Sequence, residues 1–167
     1  NKCTKMEKDD FIIEISLDES GLPLPTHQIA HERKAAIYDI LKNNKFAVKK
    51  SRVKALPRGP FRLTLSIRNL HLVFKIRGAH SKTEYEFLLS LSPLRQVIKD
   101  YFEICKSYFD AVKRLPPSQI EAIDMGRRGV HLEGSRILME RLEGKIELDP
   151  QTSKRLFTLI CALYSNM

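Results

Sequence analysis

A glycine-spaced run of charged residues, MGRRGVHLEGS at 125–135, holds the residue types best suited to recognition or proton transfer. Arginine forms charge-assisted hydrogen bonds with anions, while histidine and glutamate can move protons. Three of the chain's seven glycines lie in this run, and glycine lets a backbone turn sharply or approach a partner closely. We therefore predict an anion-binding or partner-binding site here. Its candidate residues are Arg127, Arg128, Gly129, His131 and Glu133.

The same run is expected to form a recognition loop between two helices, the first ending near Gly126 and the second starting near Val130. A helix N-terminus at that point would present free N–H groups to an anion. Purely structural roles are the alternative: Gly126 fits a helix C-terminal cap, Gly134 would allow close helix packing, and the charged side chains would pair with each other. The run matches no phosphate-loop, dinucleotide or nucleophile-elbow pattern. Catalysis on a small anionic substrate would therefore rest on His131 and Glu133 alone.

A second feature is a block of positive charge. The 167 residues include 29 Lys+Arg and 20 Asp+Glu, which gives a net charge of +9. Twelve of the basic residues fall between Ile40 and Thr83, where the sequence has no acidic residue. Such a surface can neutralise nucleic-acid phosphates, and it lacks the aromatic side chains that would stack on bases. Backbone-directed nucleic-acid binding is thus the alternative function. Its candidate residues are Lys49, Lys50, Arg52, Lys54, Arg58 and Arg62.

Other functional classes find little support. His27 and His31 share one helix face next to Glu32, but a third ligand and the HExxH order are missing, so we predict no metal and no cofactor. Three widely spaced cysteines do not form a secreted disulfide scaffold. The longest apolar stretch is about nine residues, against the roughly 20 that a membrane span needs. We expect a cytoplasmic, non-enzymatic interaction or regulatory protein whose partner is another protein or an anionic ligand.

Hydrophobic periodicity predicts how these residues are positioned. Phe11 to Leu17 alternates, with Ile13, Ile15 and Leu17 on one face, and three more alternating stretches follow between residues 61 and 91. They predict about four strands in a mainly antiparallel sheet with one buried face. Thr26 is expected to cap a helix, and the C-terminal half is largely helical. The predicted fold is a two-layer α+β domain over residues 11–167, preceded by a mobile tail at 1–10.

Six stretches of the sequence resemble an uncharacterised protein family typical of alphaproteobacteria. They are HERKAAIYDIL (31–41), GPFRLTLSI (59–67), LSPLRQVIKDYFEICKSYFDAV (91–112), PSQIEAIDMGRRGVHLEGS (117–135), RLEGKIELD (141–149) and RLFTLICAL (155–163). The resemblance runs from Phe11 to Leu163 and supplies no activity, cofactor or site. It implies that the basic segment at 44–58 is a departure from the family pattern, which favours the 125–135 run as the functional region.

Overall fold

The computed structural model describes residues 6–49 and 55–164 and confirms the α+β class. The strands are β1 (Ile12–Asp18), β2 (Phe46–Val48), β3 (Phe61–Arg68), β4 (His71–Gly78), β5 (Glu84–Ser90) and β6 (Ile146–Leu148). The helices are α1 (His27–Lys42), α2 (Arg95–Arg114), α3 (Pro117–Leu142) and α4 (Pro150–Tyr164). Short 3-10 turns at Glu19–Gly21 and Ser92–Leu94 precede α1 and α2.

The main sheet has the strand order β1-β3-β4-β5 and is mainly antiparallel, as predicted. β3, β4 and β5 form a meander, whereas β1 pairs with β3 in parallel because α1 carries the chain back across the sheet. β3 and β4 are joined by a two-residue loop, Asn69 and Leu70, in which both residues have positive φ. A small second sheet pairs β2 with β6 and was not predicted, since each strand has only three residues.

One detail of the first strand is wrong in the prediction. The pairing of β1 with β3 shifts register between Ile12 and Glu14, which inserts an extra residue at Ile13. Ile12 is therefore buried together with Ile15, while Ile13 faces solvent. Side chains alternate between the two faces of a sheet, so one extra residue moves the residues before the bulge from the predicted face to the opposite one.

Helix α3 is the largest departure from the predicted fold. The predicted helix break at Gly126 and the recognition loop after it are wrong, because one helix runs unbroken from Pro117 to Leu142. Each glycine inside a helix costs about 1 kcal/mol relative to alanine, which made a break plausible. Packing against α2 and α4 outweighs that local preference. Gly129 consequently lies within the helix rather than before a helix N-terminus.

The helices cover the apolar face of the sheet and complete a continuous core. In α4, Leu156, Ile160 and Leu163 are buried, and the side chain of Asp149 accepts from the backbone N–H of Thr152 to cap the helix. The predicted cap of α1 is confirmed as well, since Thr26 Oγ1 accepts from the N–H of Ile29.

The N-terminal segment is described from residue 6 onward. Residues 1–5 of the predicted tail lie outside the described residues. The Asp10 carbonyl accepts a hydrogen bond from the N–H of Phe46, which joins this segment to β2. Within residues 6–49 and 55–164, no helix is long and apolar enough to cross a membrane. In the same part of the chain, no three His, Cys, Asp or Glu side chains converge as a metal site would require.

Candidate functional site

The predicted site residues lie on a helix, and the helix separates them. Successive residues turn by about 100°, so side chains four apart share a face and side chains two apart point in nearly opposite directions. Arg127 and His131 point together toward α2 and α4, while Gly129 and Glu133 lie on other sides of α3. The structure therefore brings together Arg127, Arg128 and His131 and leaves Gly129 and Glu133 outside their cluster.

An open cleft of about 370 Å³ lies where α2, α3 and α4 meet. Three of its lining side chains are cationic, one is an imidazole, and two carry hydroxyl groups. The lining residues are Tyr101 from α2, Arg127, Arg128, His131 and Leu132 from α3, and Lys154 and Thr158 from α4. We call this feature the α2–α4 cleft. Its composition suits an anion, because donors and positive charge surround a space that water or a small ligand can enter.

A single carboxylate holds both arginines of the cleft. Arg127 donates from Nε and Nη2 to Asp124 Oδ1 at 3.0 and 2.8 Å, and Arg128 Nη2 lies 3.0 Å from Asp124 Oδ2. The Arg127 guanidinium also lies 5.4 Å from the centre of the Tyr108 ring. The hydrogen bonds from Arg127 lower the pKa of Asp124, so the carboxylate stays ionised at neutral pH. Asp124 thus orients two arginines while neutralising one of their charges.

His131 is held against the wall of the cleft by three contacts. Its Nε2 lies 2.7 Å from Thr158 Oγ1, and its ring centre lies 5.3 Å from those of Tyr101 and Phe157. The Thr158 hydroxyl donates to the Lys154 carbonyl, so it must accept from His131. This assigns the ring proton to Nε2 and leaves Nδ1 as the basic nitrogen.

The charge of His131 is sensitive to what occupies the cleft. Burial lowers its pKa, and the nearby charges of Arg127 and Lys154 lower it further. The imidazole is therefore neutral at neutral pH in the free protein. An anion between these cations would offset their repulsion and raise the pKa of His131, so ligand binding and protonation favour each other.

Tyr101 supplies a neutral donor at the α2 side. Burial, followed by the neighbouring thiol of Cys105, raises the pKa of Tyr101 to about 12. The phenol keeps its proton throughout the physiological range and can donate to an anion. The Arg127 guanidinium acts in the opposite direction on this pKa, and both side chains line the same cleft.

Glu133 belongs to a different part of the surface. Its carboxylate accepts from Arg136 Nη2 at 2.6 Å and from Arg136 Nε at 3.0 Å, and these bonds lower the pKa of Glu133. Arg136 also reaches Glu140 at 2.8 Å. The structural alternative, in which charged side chains pair locally, is thus correct for these residues: Arg127 and Arg128 bind Asp124, which precedes the run, and Glu133 binds Arg136. His131 and Glu133 do not converge on a common space.

The basic block offers a less organised surface. Arg62 forms an ion pair with Glu14 of the neighbouring strand, and Lys75 lies 3.9 Å from Glu84. Acidic residues of β1 and β5 thus alternate with the basic ones across this face of the sheet. Arg58 is exposed, and Lys49 donates its backbone N–H to the Lys145 carbonyl. Three of the candidates lie outside the described residues: Lys50, Arg52 and Lys54.

Sequence reasoning missed the residues that α2 and α4 contribute. Tyr101 follows Val97 and Ile98 at helical spacing, a pattern that indicates packing and not binding, and neither Lys154 nor Thr158 belongs to a recognisable motif. A usable signal was present in α3 itself, where Arg127 and His131 are four residues apart and Gly134 follows on the same side. A continuous helix would have placed these three on one inward face. The contacts with α4 depend on tertiary packing that no local pattern encodes.

Comparison with known proteins identifies the family. The model of the uncharacterised protein family UPF0262 matches residues 9–166, nearly the whole chain. The chain belongs to this family. A UPF0262 protein of Dinoroseobacter shibae is 59% identical over 153 residues, which cover 92% of this chain and 96% of the relative. The UPF0262 protein SPOA0072 of Ruegeria pomeroyi is also 59% identical, over 92% of this chain and 95% of the relative.

A third UPF0262 relative, RD1_1069 of Roseobacter denitrificans, is 56% identical over 92% of this chain and 96% of its own length. These matches confirm the family resemblance drawn from the sequence. No solved structure matches the chain.

Proposed function

We propose that this protein is a non-enzymatic binding module, located in the cytoplasm, that recognises a small anionic ligand in the α2–α4 cleft. The observation that carries the proposal is the convergence of Arg127, Arg128 and Lys154 around one open space. Two of these cations lie on α3 and the third on α4, so the fold and not the local sequence assembles them. The free thiols of Cys105 and Cys161 agree with a reducing compartment.

The charge balance of the cleft favours an anion over a neutral ligand. Three basic side chains face one carboxylate, that of Asp124, which leaves a surplus of positive charge in a half-enclosed space. Tyr101, Thr158 and protonated His131 add hydrogen-bond donors of the kind that phosphate and carboxylate groups accept. Leu132 offers an apolar edge at the rim. The shared ligand chemistry is thus a phosphate or carboxylate group.

The arrangement supports binding better than catalysis. No carboxylate is among the described residues that line the cleft, and Glu133, the other predicted proton-transfer residue, is bound to Arg136. The carboxylate next to the cleft, Asp124, is engaged by two arginines. Nucleic-acid binding stays a prediction, because half of its candidate residues lie outside the described residues and Arg62 is already paired with Glu14.

The proposal is tested by calorimetric titration with inorganic phosphate in one arm and citrate in the other. Lys154→Gln and Arg128→Gln each remove one cation from the cleft, and Lys106→Gln removes one from an exposed position on α2 outside it. An exposed ion pair is worth up to about 1 kcal/mol, so each cleft variant should weaken binding roughly fivefold. Lys106→Gln should bind like the wild type.

The two arms distinguish the sources of the anion. Tighter binding of phosphate points to a phosphorylated ligand, and tighter binding of citrate points to a carboxylate ligand. Absence of binding in both arms would reject the proposed function. Equal dissociation constants for Lys154→Gln and Lys106→Gln would also reject it, since the anion would then be bound elsewhere on the basic surface.

A further inference from the structure

The solvent side of α3 carries apolar residues that nothing in the described chain covers. Met125 is 66% exposed and Leu132 is 55% exposed, although both lie in the middle of a 26-residue helix. Glu121, Arg128 and Arg136 follow the same face at steps of three and four residues. We call this set, together with Gly129, the outer face of α3.

Gly129 is the residue of this face that the protein's own packing leaves unexplained. A Cβ at Gly134 would come within 2.2 Å of the Phe157 ring, so this glycine is required inside the monomer, and one at Gly126 would crowd the end of the Ile104 side chain at 3.0 Å. A Cβ at Gly129 would meet nothing within 4 Å. Glycine costs a helix about 1 kcal/mol relative to alanine. A close approach from outside the chain would explain why no side chain is present.

We propose that the outer face of α3 pairs with the same face of a second copy, with the two helices antiparallel. A two-fold axis between residues 128 and 129 places Met125 opposite Leu132 of the partner subunit. The same register places Glu121 opposite Arg136 of the partner subunit. Both contacts occur twice, because a two-fold interface repeats each pair.

The sequence of the face is complementary to itself in this register. Glu121 lies at the N-terminal end of the face and Arg136 at its C-terminal end, with the apolar Met125 and Leu132 between them. Gly129 and Arg128 meet at the centre, where the absence of a side chain leaves room for the opposing helix. Arg128 is tied to Asp124 of its own helix, which offsets the repulsion between the two copies of this arginine.

The size of the face indicates a weak dimer. From Glu121 to Arg136 the helix extends about 22 Å, which is one helix–helix contact and not a broad interface. Interfaces below about 1,200 Å² belong to transient complexes, so we expect a dissociation constant on the order of micromolar. The inference does not depend on anion binding, although Arg128 and Leu132 lie at the border of the α2–α4 cleft.

Sedimentation velocity over a wide concentration range tests the pairing. The wild type should shift from monomer to dimer, and Leu132→Glu should remain monomeric because it places two charges in the apolar centre. Phe109→Glu is the matched control, since Phe109 is 63% exposed on α2 and lies outside the face. A wild type that stays monomeric throughout, or a dimer that Leu132→Glu and Phe109→Glu affect equally, would overturn the proposal.

Charge reversal tests the register in particular. In a dimer of the Glu121→Lys variant, both contacts between positions 121 and 136 join two basic side chains. In a dimer of the Arg136→Glu variant, both contacts join two acidic side chains. Each variant should therefore weaken self-association roughly tenfold. An equal mixture of the two variants pairs Lys with Glu and Arg with Glu, and it should restore a heterodimer of wild-type affinity. Circular dichroism verifies that each variant is folded.

Arg136 also binds Glu133 and Glu140 of its own helix, so Arg136→Glu risks local unfolding. If that variant does not fold, a mixture of Glu121→Lys with wild type tests the register instead. In the mixed dimer, one of the two contacts between positions 121 and 136 again joins an acidic and a basic side chain. With a fluorescent label on Glu121→Lys only, sedimentation followed at the wavelength of the label should show that this variant binds unlabelled wild type more tightly than it binds itself. A mixture that gains nothing would refute this register.

Discussion

Two glycines of α3 predict opposite responses to the same substitution. Gly134 lies against Phe157, and a Cβ there would fall 2.2 Å from Cζ and 2.5 Å from Cε1 and Cε2. The Phe157 ring is fully buried and makes edge contacts with Tyr101 at 6.0 Å and His131 at 5.3 Å, so it has little room to retreat. Gly134→Ala should therefore force the two helices apart, while Gly129→Ala adds a methyl group in open space.

Overpacking and helix propensity act in opposite directions on the free energy of unfolding of these alanine variants. Overpacking costs about 1–3 kcal/mol, and the severe overlap at Gly134 places the cost near the upper end. Better helix propensity returns about 1 kcal/mol, which leaves Gly134→Ala destabilised by about 2 kcal/mol. Gly129→Ala gains up to about 1 kcal/mol from propensity alone. In melting temperature, we expect a fall of about 4–8 °C for the first and a rise of about 2–4 °C for the second.

Denaturant unfolding followed by circular dichroism measures both variants at a concentration low enough to keep the chain monomeric. Combining Gly134→Ala with Phe157→Leu should lose less stability than the sum of the two single changes, because the smaller side chain removes the overlap. A Gly134→Ala variant as stable as the wild type would contradict the tight contact with Phe157, and so would two alanine variants whose free energies of unfolding change in the same direction.

Three further predictions concern stability. Arg33 is 2% exposed and donates to the carbonyls of Ala162 and Leu163 at the end of α4, so Arg33→Met should cost about 2–4 kcal/mol in chemical denaturation. Leu70 has a φ of 61° in its tight turn, so Leu70→Gly should raise the free energy of unfolding by about 1 kcal/mol, and a decrease would contradict this view of the turn. Because the pKa of His131 is lowered on folding, the unfolded chain binds that proton first, and stability should fall as pH drops below about 6.5. Unfolding midpoints at pH 7.5 and 5.5 should differ less for His131→Gln than for the wild type.

Local patterns predicted the sheet well because they report directly on burial. The alternation of Phe61, Leu63 and Leu65 with polar residues matches their burial in β3, and the meander follows from short connections. The alternation placed Ile13 on the wrong face of the sheet, because the residue types around it do not reveal the extra residue that shifts the register there. Local patterns also did not predict β2 and β6, because these short strands pair with each other across about a hundred positions of sequence.

For the candidate site, the sequence predicted the identity of three residues but not their arrangement in space. Arg127, Arg128 and His131 were found because of their residue types and their glycine-rich surroundings. Their arrangement was not found, because intrinsic propensity favours a break at Gly126 and Gly129 while tertiary packing favours a continuous helix. Gly134 shows why packing prevails: the helix needs the close contact with Phe157, and that contact fixes the face on which the cationic side chains lie.

The most direct measurement is the pKa of His131 by NMR, with and without saturating inorganic phosphate. The free protein should show a value below the ordinary 6.5 of histidine, because of burial and the charges of Arg127 and Lys154. If the α2–α4 cleft binds an anion, phosphate should raise this pKa, and Lys154→Gln should reduce the response. A pKa of His131 that does not change while phosphate binds to the protein would contradict the central claim, because the anion would then lie outside the cleft.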